Sequence, residues 1–542
     1  RLGIVASGLA AFAVLEALDS LGIDLDLAAE LGIRVLKIGM PHPIDELSLR
    51  QFCDGLEEVL VVEEKRRIIE LAVKDGLYGL PEARRPRVVG RRDEAGKEIL
   101  SGVGQLGPDA VAIAIAGRIQ SFHNSAKMKD RLVFLEGKVS ERRARSALNV
   151  VRTPFFCSGC PHNTSTRVPA GSRAHGGVGC HFMATNMARD NVTHPQMGGE
   201  GATWIGMSSF VATDHVFQNL GDGTYFHSGL LALRACIAAG VNITYKILYN
   251  DAVAMTGGQP VDGSIDPAAI TRQVHAEGVR RLAVVTDDLE KYKNRVGLAP
   301  GTEVHHRRAL DSVQKAFRLH PGVSVIVYDQ TCAAEKRRRR KRGSFPDPSR
   351  RVFINERVCE GCGDCSAKSN CLSVIPVETS FGRKRRIDQS SCNKDYSCRD
   401  GFCPSFVSVV GGNVRRIASS QEVPRHLQLL PEPERPQLTG KRSYNILVTG
   451  IGGTGVVTIS AMITMAAHLE GRACQAIDQF GMAQKGGAVT SHIRLAGETS
   501  AIRAVYLDAG SADLVLGCDA LVAASDLALQ SVSSDRSQLI IN

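Results

Sequence analysis

Aromatic side chains are scarce here: one Trp, and 5% Phe, Trp and Tyr together in 542 residues. Few rings leave few platforms for stacking unpaired bases, so a nucleic-acid partner is not expected. No apolar run approaches the roughly 18 residues needed to cross a bilayer, so no membrane span is expected either. The chain opens at Arg1 without a basic–apolar–small leader, and nothing reads as a signal peptide. It starts on one apolar strand and stops on another, Leu539-Ile540-Ile541, so it reads as part of something longer. A content of 43% hydrophobic and 23% charged residues excludes a disordered or collagen-like chain. At 58.2 kDa the chain is too long for one core, and three or four domains are expected.

What is abundant is cysteine, with 15 residues. Seven of them, Cys359, Cys362, Cys365, Cys371, Cys392, Cys398 and Cys403, fall within 45 positions. A large chain with no secretory signal has little use for disulfide staples, so metal or cluster ligation in a reducing cytoplasm is the better reading. Cys359-x-x-Cys362-x-x-Cys365 has the ferredoxin interval, and Gly361 and Gly363 let the backbone wrap a cubane. The fourth ligand of such a run usually precedes proline, as Cys403 does. One [4Fe–4S] cluster is therefore expected. Cys371, Cys392 and Cys398 fall one short of a second, which stays possible, and zinc is the competing occupant.

Alternating strands and helices imply doubly wound parallel sheets, an α/β multidomain chain. Leu2 to Ala6, Ile33 to Ile38 and Glu58 to Val62 read as strands, and Ala10 to Leu21 as a helix. Residues 76–152 read as a polar connector with one helix near Gly107 to Phe122. Strand–helix alternation returns after a Gly-, Cys- and His-rich stretch that begins at Pro154. Prolines 424, 431, 433 and 436 mark a linker, and Tyr444 to Thr449 opens a last unit.

Gly221-Asp222-Gly223 follows the apolar run Val216 to Leu220, and Asn250 closes the strand Ile243 to Tyr249. A carboxylate and an amide oxygen at neighbouring strand ends can hold one Mg²⁺, which bridges a diphosphate over a helix N-terminus. Alone, Gly-Asp-Gly is a common turn. Thr256-Gly257-Gly258-Gln259 strengthens the reading, because a second glycine loop lets backbone approach the same phosphates.

Together these motifs resemble the thiamine-diphosphate signature of the 2-oxoacid:ferredoxin oxidoreductases. Phe226-His227-Ser228-Gly229 and Cys157-Ser-Gly-Cys160-Pro161-His162 resemble the indolepyruvate ferredoxin oxidoreductase branch, in the form that fuses large and small subunits. The resemblance implies Mg²⁺ on Asp222, Asn250 and the Ala252 carbonyl, with Gly221, Gly223, Thr256 and Gly257 around thiamine diphosphate. Tyr249-Asn250-Asp251 and Ala254 depart from the relatives' pattern at the cofactor ring. Cys157, Cys160, Cys180 and Cys332, dispersed over 175 residues, would then hold a second [4Fe–4S] cluster near thiamine; by spacing alone they are structural thiols or a zinc pair. Cys53, Cys236, Cys474 and Cys518 read as core.

The implied organisation is a transketolase C-terminal-like α/β domain (1–75), the connector (76–152) and a thiamine-diphosphate-binding domain (153–335). A ferredoxin-like iron–sulfur domain (336–420), a Pro-rich linker (421–442) and an incomplete small-subunit α/β domain (443–542) follow. The implied reaction is oxidative decarboxylation of an arylpyruvate, indolepyruvate first, to an acyl-CoA. Coenzyme A and ferredoxin are the partners, in a cytoplasmic homo-oligomer. The residue that activates thiamine, a glutamate in this family, is expected before Arg1. A non-redox thiamine decarboxylase and an inactive cluster-carrying fragment are the alternatives.

Three features stay open. Lys336 to Arg342 supplies seven of the charges behind the net +10, and reads as a solvated linker or a steering patch for an acidic ferredoxin. His162, His181, His215 and His227 lie in motif regions, where a proton relay is plausible. Gly450-Ile-Gly452-Gly453-Thr454-Gly455 fits a dinucleotide loop, but the resemblance assigns it to a small subunit without nicotinamide.

Overall fold

The computed structural model describes residues 1–144, 152–261, 263, 265–412, 431, 438, 442–481 and 486–542. Most of the Pro-rich linker 421–442 and Met482 to Lys485 therefore lie outside the described residues. The chain forms two compact units, Arg1–Thr153 with Pro431–Asn542, and Pro154–Leu430. No described helix is long and apolar enough to cross a membrane.

The first unit opens with parallel strands β1 (Leu2–Ser7), β2 (Ile33–Ile38), β3 (Glu58–Val62) and β4 (Arg87–Val89), in the order β2-β1-β3-β4. β1 and β3 are almost wholly apolar because both faces of a central parallel strand are covered. Ile4 and Leu60 join Val14, Leu21, Val111 and Ile115 on one side, while Val59 and Val61 join Leu49, Val73 and Leu77 on the other.

The span 76–152 holds more than the single helix expected. It supplies β4 and two helices, Pro108–Ile119 and Ala126–Ala144. Leu106, Val111, Met128 and Leu135 enter the first core, so much of this stretch packs as part of the first sheet domain. The second helix escapes a sequence reading because its charged surface interrupts a short apolar stripe. The Arg118 guanidinium donates to both oxygens of buried Glu58 on β3, each at 2.6 Å.

The second unit carries seven parallel strands: β5 (Ala174–His175), β6 (Asn191–Val192), β7 (Val216–Gly221), β8 (Ile243–Tyr249), β9 (Arg281–Thr286), β10 (Glu303–His306) and β11 (Val323–Asp329). Their order is β10-β9-β11-β8-β7-β5-β6. β7 and β8 run side by side with Gly221 opposite Leu248, so their C-terminal ends open into one crevice, where open α/β sheets hold ligands. Two antiparallel pairs follow: β12 (Arg350–Ile354) with β15 (Phe406–Val410), and β13 (Val374–Thr379) with β14 (Gly382–Ile387). Val352, Ile354, Val374 and Ile387 form a small core there with Cys359, and Cys365, Cys371, Cys392 and Cys398 pack against it.

The closing part of the first unit is a mixed sheet of β16 (Tyr444–Ile451), β17 (Ala473–Phe480), β18 (Ala488–Ala496), β19 (Leu514–Gly517) and β20 (Gln538–Ile541), ordered β17-β18-β16-β19-β20. β18 is antiparallel to both neighbours. A dinucleotide fold needs β16 and β17 adjacent and parallel, with an acid at the end of the second strand. Here β18 intervenes, and Glu470 caps the helix Val456–Leu469 instead. The glycine loop is also self-satisfied: the Gly452 amide donates to the Gly487 carbonyl at 2.8 Å. A Cβ on Gly450 would lie 2.6 Å from the Val456 side chain, so that glycine serves helix packing.

Candidate functional site

Asp222 begins a helical stretch at the end of β7 that runs through a π-helical turn, Tyr225–Gly229, into the helix Leu230–Ala239. Such turns are rare and cluster at functional sites. Asp222 Oδ1 accepts from the Gly223 amide at 2.8 Å; Oδ2 accepts from the amides of Asn250 and Asp251 at 2.8 and 3.1 Å. Burial nevertheless outweighs these bonds and pushes the Asp222 carboxyl up to about 6. The buried Asn250 Oδ1 has no hydrogen-bond partner among the described residues. A buried, unanswered acceptor beside a desolvated carboxyl suits a hard cation.

Both residues line a cavity of about 480 Å³ together with Gly221, Gly223, Ala252 and Thr256. Cys180, His162, His181 and His227 share its wall. His215 does not: it sits at the opposite end of β7 from Asp222, 2.7 Å from Thr244 Oγ1. His181 is 1% exposed, and burial lowers its pKa to about 4, so the ring is neutral. It fills the space left by missing side chains at Gly177 and Gly179, where a Cβ would lie 2.9 and 2.8 Å from the imidazole.

The loops around His181 hang on Glu200, which the sequence reading missed. Its carboxylate, fully buried, accepts from the amides of Val178 at 3.2 Å and Gly198 at 2.7 Å, and burial raises its pKa. Lys246 was also missed. It is buried on β8, and its ammonium donates to the Ser165 and Arg167 carbonyls at 2.8 and 3.1 Å, holding the loop after Cys160. A lysine in a near-continuous apolar run is the only signal the sequence offers for it.

The four dispersed cysteines come together. Burial raises the Cys160 thiol well above its ordinary value, and the neighbouring Cys157, Cys180 and Cys332 sulfurs add to that shift. Cys180 belongs to both this group and the cavity wall. The second set behaves similarly: Cys359, Cys362, Cys365 and Cys403 line a separate cavity of about 300 Å³, joined by Cys398. Cys398 is pushed up to about 12 by burial and then by Cys371 and Cys392, so the three leftover thiols are neighbours. Among the described residues, no three His, Cys, Asp or Glu side chains converge at the range of a single metal ion.

Lys336 to Arg342 is neither a linker nor a free patch. All but Arg342, which caps it, falls in the helix Ala333–Lys341, where five of the run's cationic side chains bind the protein itself. Gly257, expected at the phosphates, gives its carbonyl to Arg338. Cys53 and Cys236 are buried as core residues, and Cys474 and Cys518 are half-buried.

Three family models match in chain order. An indolepyruvate oxidoreductase domain covers residues 1–142, a thiamine pyrophosphate enzyme C-terminal TPP-binding domain 177–328, and a pyruvate ferredoxin/flavodoxin oxidoreductase domain 445–540. The chain is 28% identical over 416 residues to indolepyruvate oxidoreductase subunit IorA of Thermococcus kodakarensis, covering 72% of this chain and 58% of that protein. It thus spans little more than half the length of that relative. It is 36% identical over 75 residues to subunit IorB of Archaeoglobus fulgidus, covering 14% of this chain and 35% of that one. A solved 2-oxoglutarate:ferredoxin oxidoreductase from Magnetococcus marinus aligns with TM-score 0.27 and 16% identity, over 37% of this chain and 70% of that chain.

Proposed function

For this member of the indolepyruvate ferredoxin oxidoreductase family, we propose oxidative decarboxylation of a 2-oxo acid, an arylpyruvate such as indolepyruvate, to its acyl-CoA with ferredoxin as acceptor. In this reading Asp222, Asn250 and the Ala252 carbonyl hold Mg²⁺, and the 480 Å³ cavity, with Gly221, Gly223 and Thr256 on its wall, takes thiamine diphosphate. Cys157, Cys160, Cys180 and Cys332 hold a [4Fe–4S] cluster next to it. Cys359, Cys362, Cys365 and Cys403 hold another; a 300 Å³ space among thiols suits a multi-atom cluster better than one zinc ion. Bound there, thiamine diphosphate supplies the electron sink for loss of CO₂, and the clusters supply a one-electron path.

The chain's own residues do the rest. Glu200 fixes the loops over the cavity, His181 presents a neutral imidazole to it, and Val178, Met197, Phe226 and Val261 give it an apolar wall. One observation carries the proposal: Cys180 stands in the cavity wall and in the thiol quartet at once. A thiamine enzyme that only decarboxylates has no use for four gathered thiols beside its cofactor.

The test supplies an arylpyruvate, coenzyme A and ferredoxin anaerobically to the loaded protein. Reduction of ferredoxin matched to acyl-CoA formation supports the assignment. Free aldehyde with no acceptor reduction supports the non-redox decarboxylase, and no turnover despite loaded cofactors supports a silent cluster carrier.

A further inference from the structure

The helix Ala333–Lys341 begins immediately after Cys332, with Glu335 in its first turn and Arg338 to Lys341 in its last, an order that complements the helix dipole. Its cations have specific tasks. Lys336 pairs with Asp287 at 2.9 Å; Arg337 donates to the Ser390 carbonyl at 2.7 Å; Arg340 donates to the Asn393 carbonyl at 2.8 Å. Arg338 donates to the Gly257 carbonyl at 2.5 Å and pairs with Glu335. Arg339 pairs with the Asp251 carboxylate and also donates to the Asp251 carbonyl, at 3.1 Å.

Arg338 and Arg339 therefore grip the two ends of one segment. Residues 252–256 form a wall of the cofactor cavity and contain a single 3₁₀ turn, Ala254–Thr256, and an isolated bridge from Val253 to Gln259. The segment's own bonds close a small loop: the Val253 amide donates to the Gln259 carbonyl at 2.8 Å, the Gly258 amide to the Val253 carbonyl at 3.0 Å, and the Thr256 hydroxyl and Gln259 amide group bond each other's residues at 2.8 and 3.0 Å, so no bond within it ties Asp251 down. Asp251 sits at φ 58°, a left-handed conformation uncommon outside glycine that Asp and Asn adopt more readily than other residues. A Cβ on Gly258 (φ 89°) would displace the Glu335 carboxylate and the Arg338 guanidinium, which occupy that space. Gly258 thus admits the basic helix, none of whose residues lines the cavity.

The geometry points to Arg338 and Arg339 as positioning residues that hold the 251–257 segment in the shape that receives Mg²⁺ and a diphosphate. The inference rests on the thiamine-diphosphate reading of the cavity. A segment fixed in advance does not lose conformational freedom again on binding, so the two guanidinium groups raise cofactor affinity without touching the cofactor.

The test is calorimetric titration of the full chain, loaded anaerobically with iron and sulfide, with thiamine diphosphate in the presence of Mg²⁺. Arg339→Gln is expected to weaken binding about tenfold, Asp251→Asn by a similar factor, and the double variant no further than either alone. Arg339→Lys recovers part of the loss, and iron content stays at the wild-type level. Arg342→Gln removes the same charge from the exposed end of the helix and leaves affinity unchanged. Wild-type affinity in Arg339→Gln, additive losses in the double variant, or an equal loss in Arg342→Gln overturns the positioning role. A wild-type chain that binds Mg²⁺ but no thiamine diphosphate overturns the cofactor reading and this inference with it.

Discussion

The backbone amide of Cys332 donates to the backbone carbonyl of Asn250 at 2.9 Å. One residue belongs to the thiol quartet and the other carries the unanswered amide oxygen in the cavity, so the two sites share a hydrogen bond. β8 and β11, paired in register, end together, and the chain leaving β11 passes directly over the end of β8. Replacing Cys332 by Ser is expected to remove about four iron atoms per chain, the content of one cubane. Because the main-chain bond survives, thiamine diphosphate affinity stays within about threefold of wild type. Iron analysis and calorimetry on the same sample check both halves.

Asn250→Leu preserves much of the side-chain volume and removes the oxygen. Mg²⁺-dependent cofactor affinity is expected to fall about 10- to 100-fold, with cluster content unchanged. Titration at several Mg²⁺ concentrations separates loss of the metal from loss of the cofactor.

Much of the architecture was legible because parallel strands buried on both faces are short apolar runs: Glu58–Val62 and Ile243–Tyr249 have the bounds the sequence suggested, and so does the edge strand Ile33–Ile38, although Arg34, Val35 and Lys37 are exposed there. Less legible were elements stabilised by contacts rather than pattern. The helix Ala126–Ala144 buries too narrow a stripe to announce itself. Lys336 to Arg340 looked like solvated charge because a sequence cannot show that Asp251, Gly257, Asp287, Ser390 and Asn393 converge on one helix. Spacing picked out Asp222 and Asn250, but it could not foresee that Cys180 would share their cavity or that Glu200 would brace it.

Lys246 gives the fold a pH signature. Burial lowers its pKa from 10.5 to about 7, so between those values the unfolded chain binds more protons than the folded one. Its contribution therefore makes stability rise with pH from about 7 towards 10.5, at up to about 1.4 kcal/mol per pH unit. Lys246→Met should flatten that rise and cost about 1–3 kcal/mol at high pH by stranding the Ser165 and Arg167 carbonyls. Chemical denaturation from pH 6 to pH 10 measures both effects.

In the first unit, Arg118→Ala is expected to destabilise by about 3 kcal/mol, because buried Glu58 loses its two-pronged partner and keeps only half-exposed Arg87. Urea denaturation of wild type and variant measures the difference. A loss below about 0.5 kcal/mol contradicts the packing of helix Pro108–Ile119 onto β3.

Electron transfer out of the thiamine pocket requires that the Cys157, Cys160, Cys180 and Cys332 thiols hold an iron–sulfur centre beside it. Electron paramagnetic resonance after anaerobic reconstitution and dithionite reduction tests it most directly, on wild type and on Cys160→Ser. Signals from two reduced centres are expected in the wild type and from one in the variant. Zinc in place of iron, or identical spectra from both proteins, contradicts it.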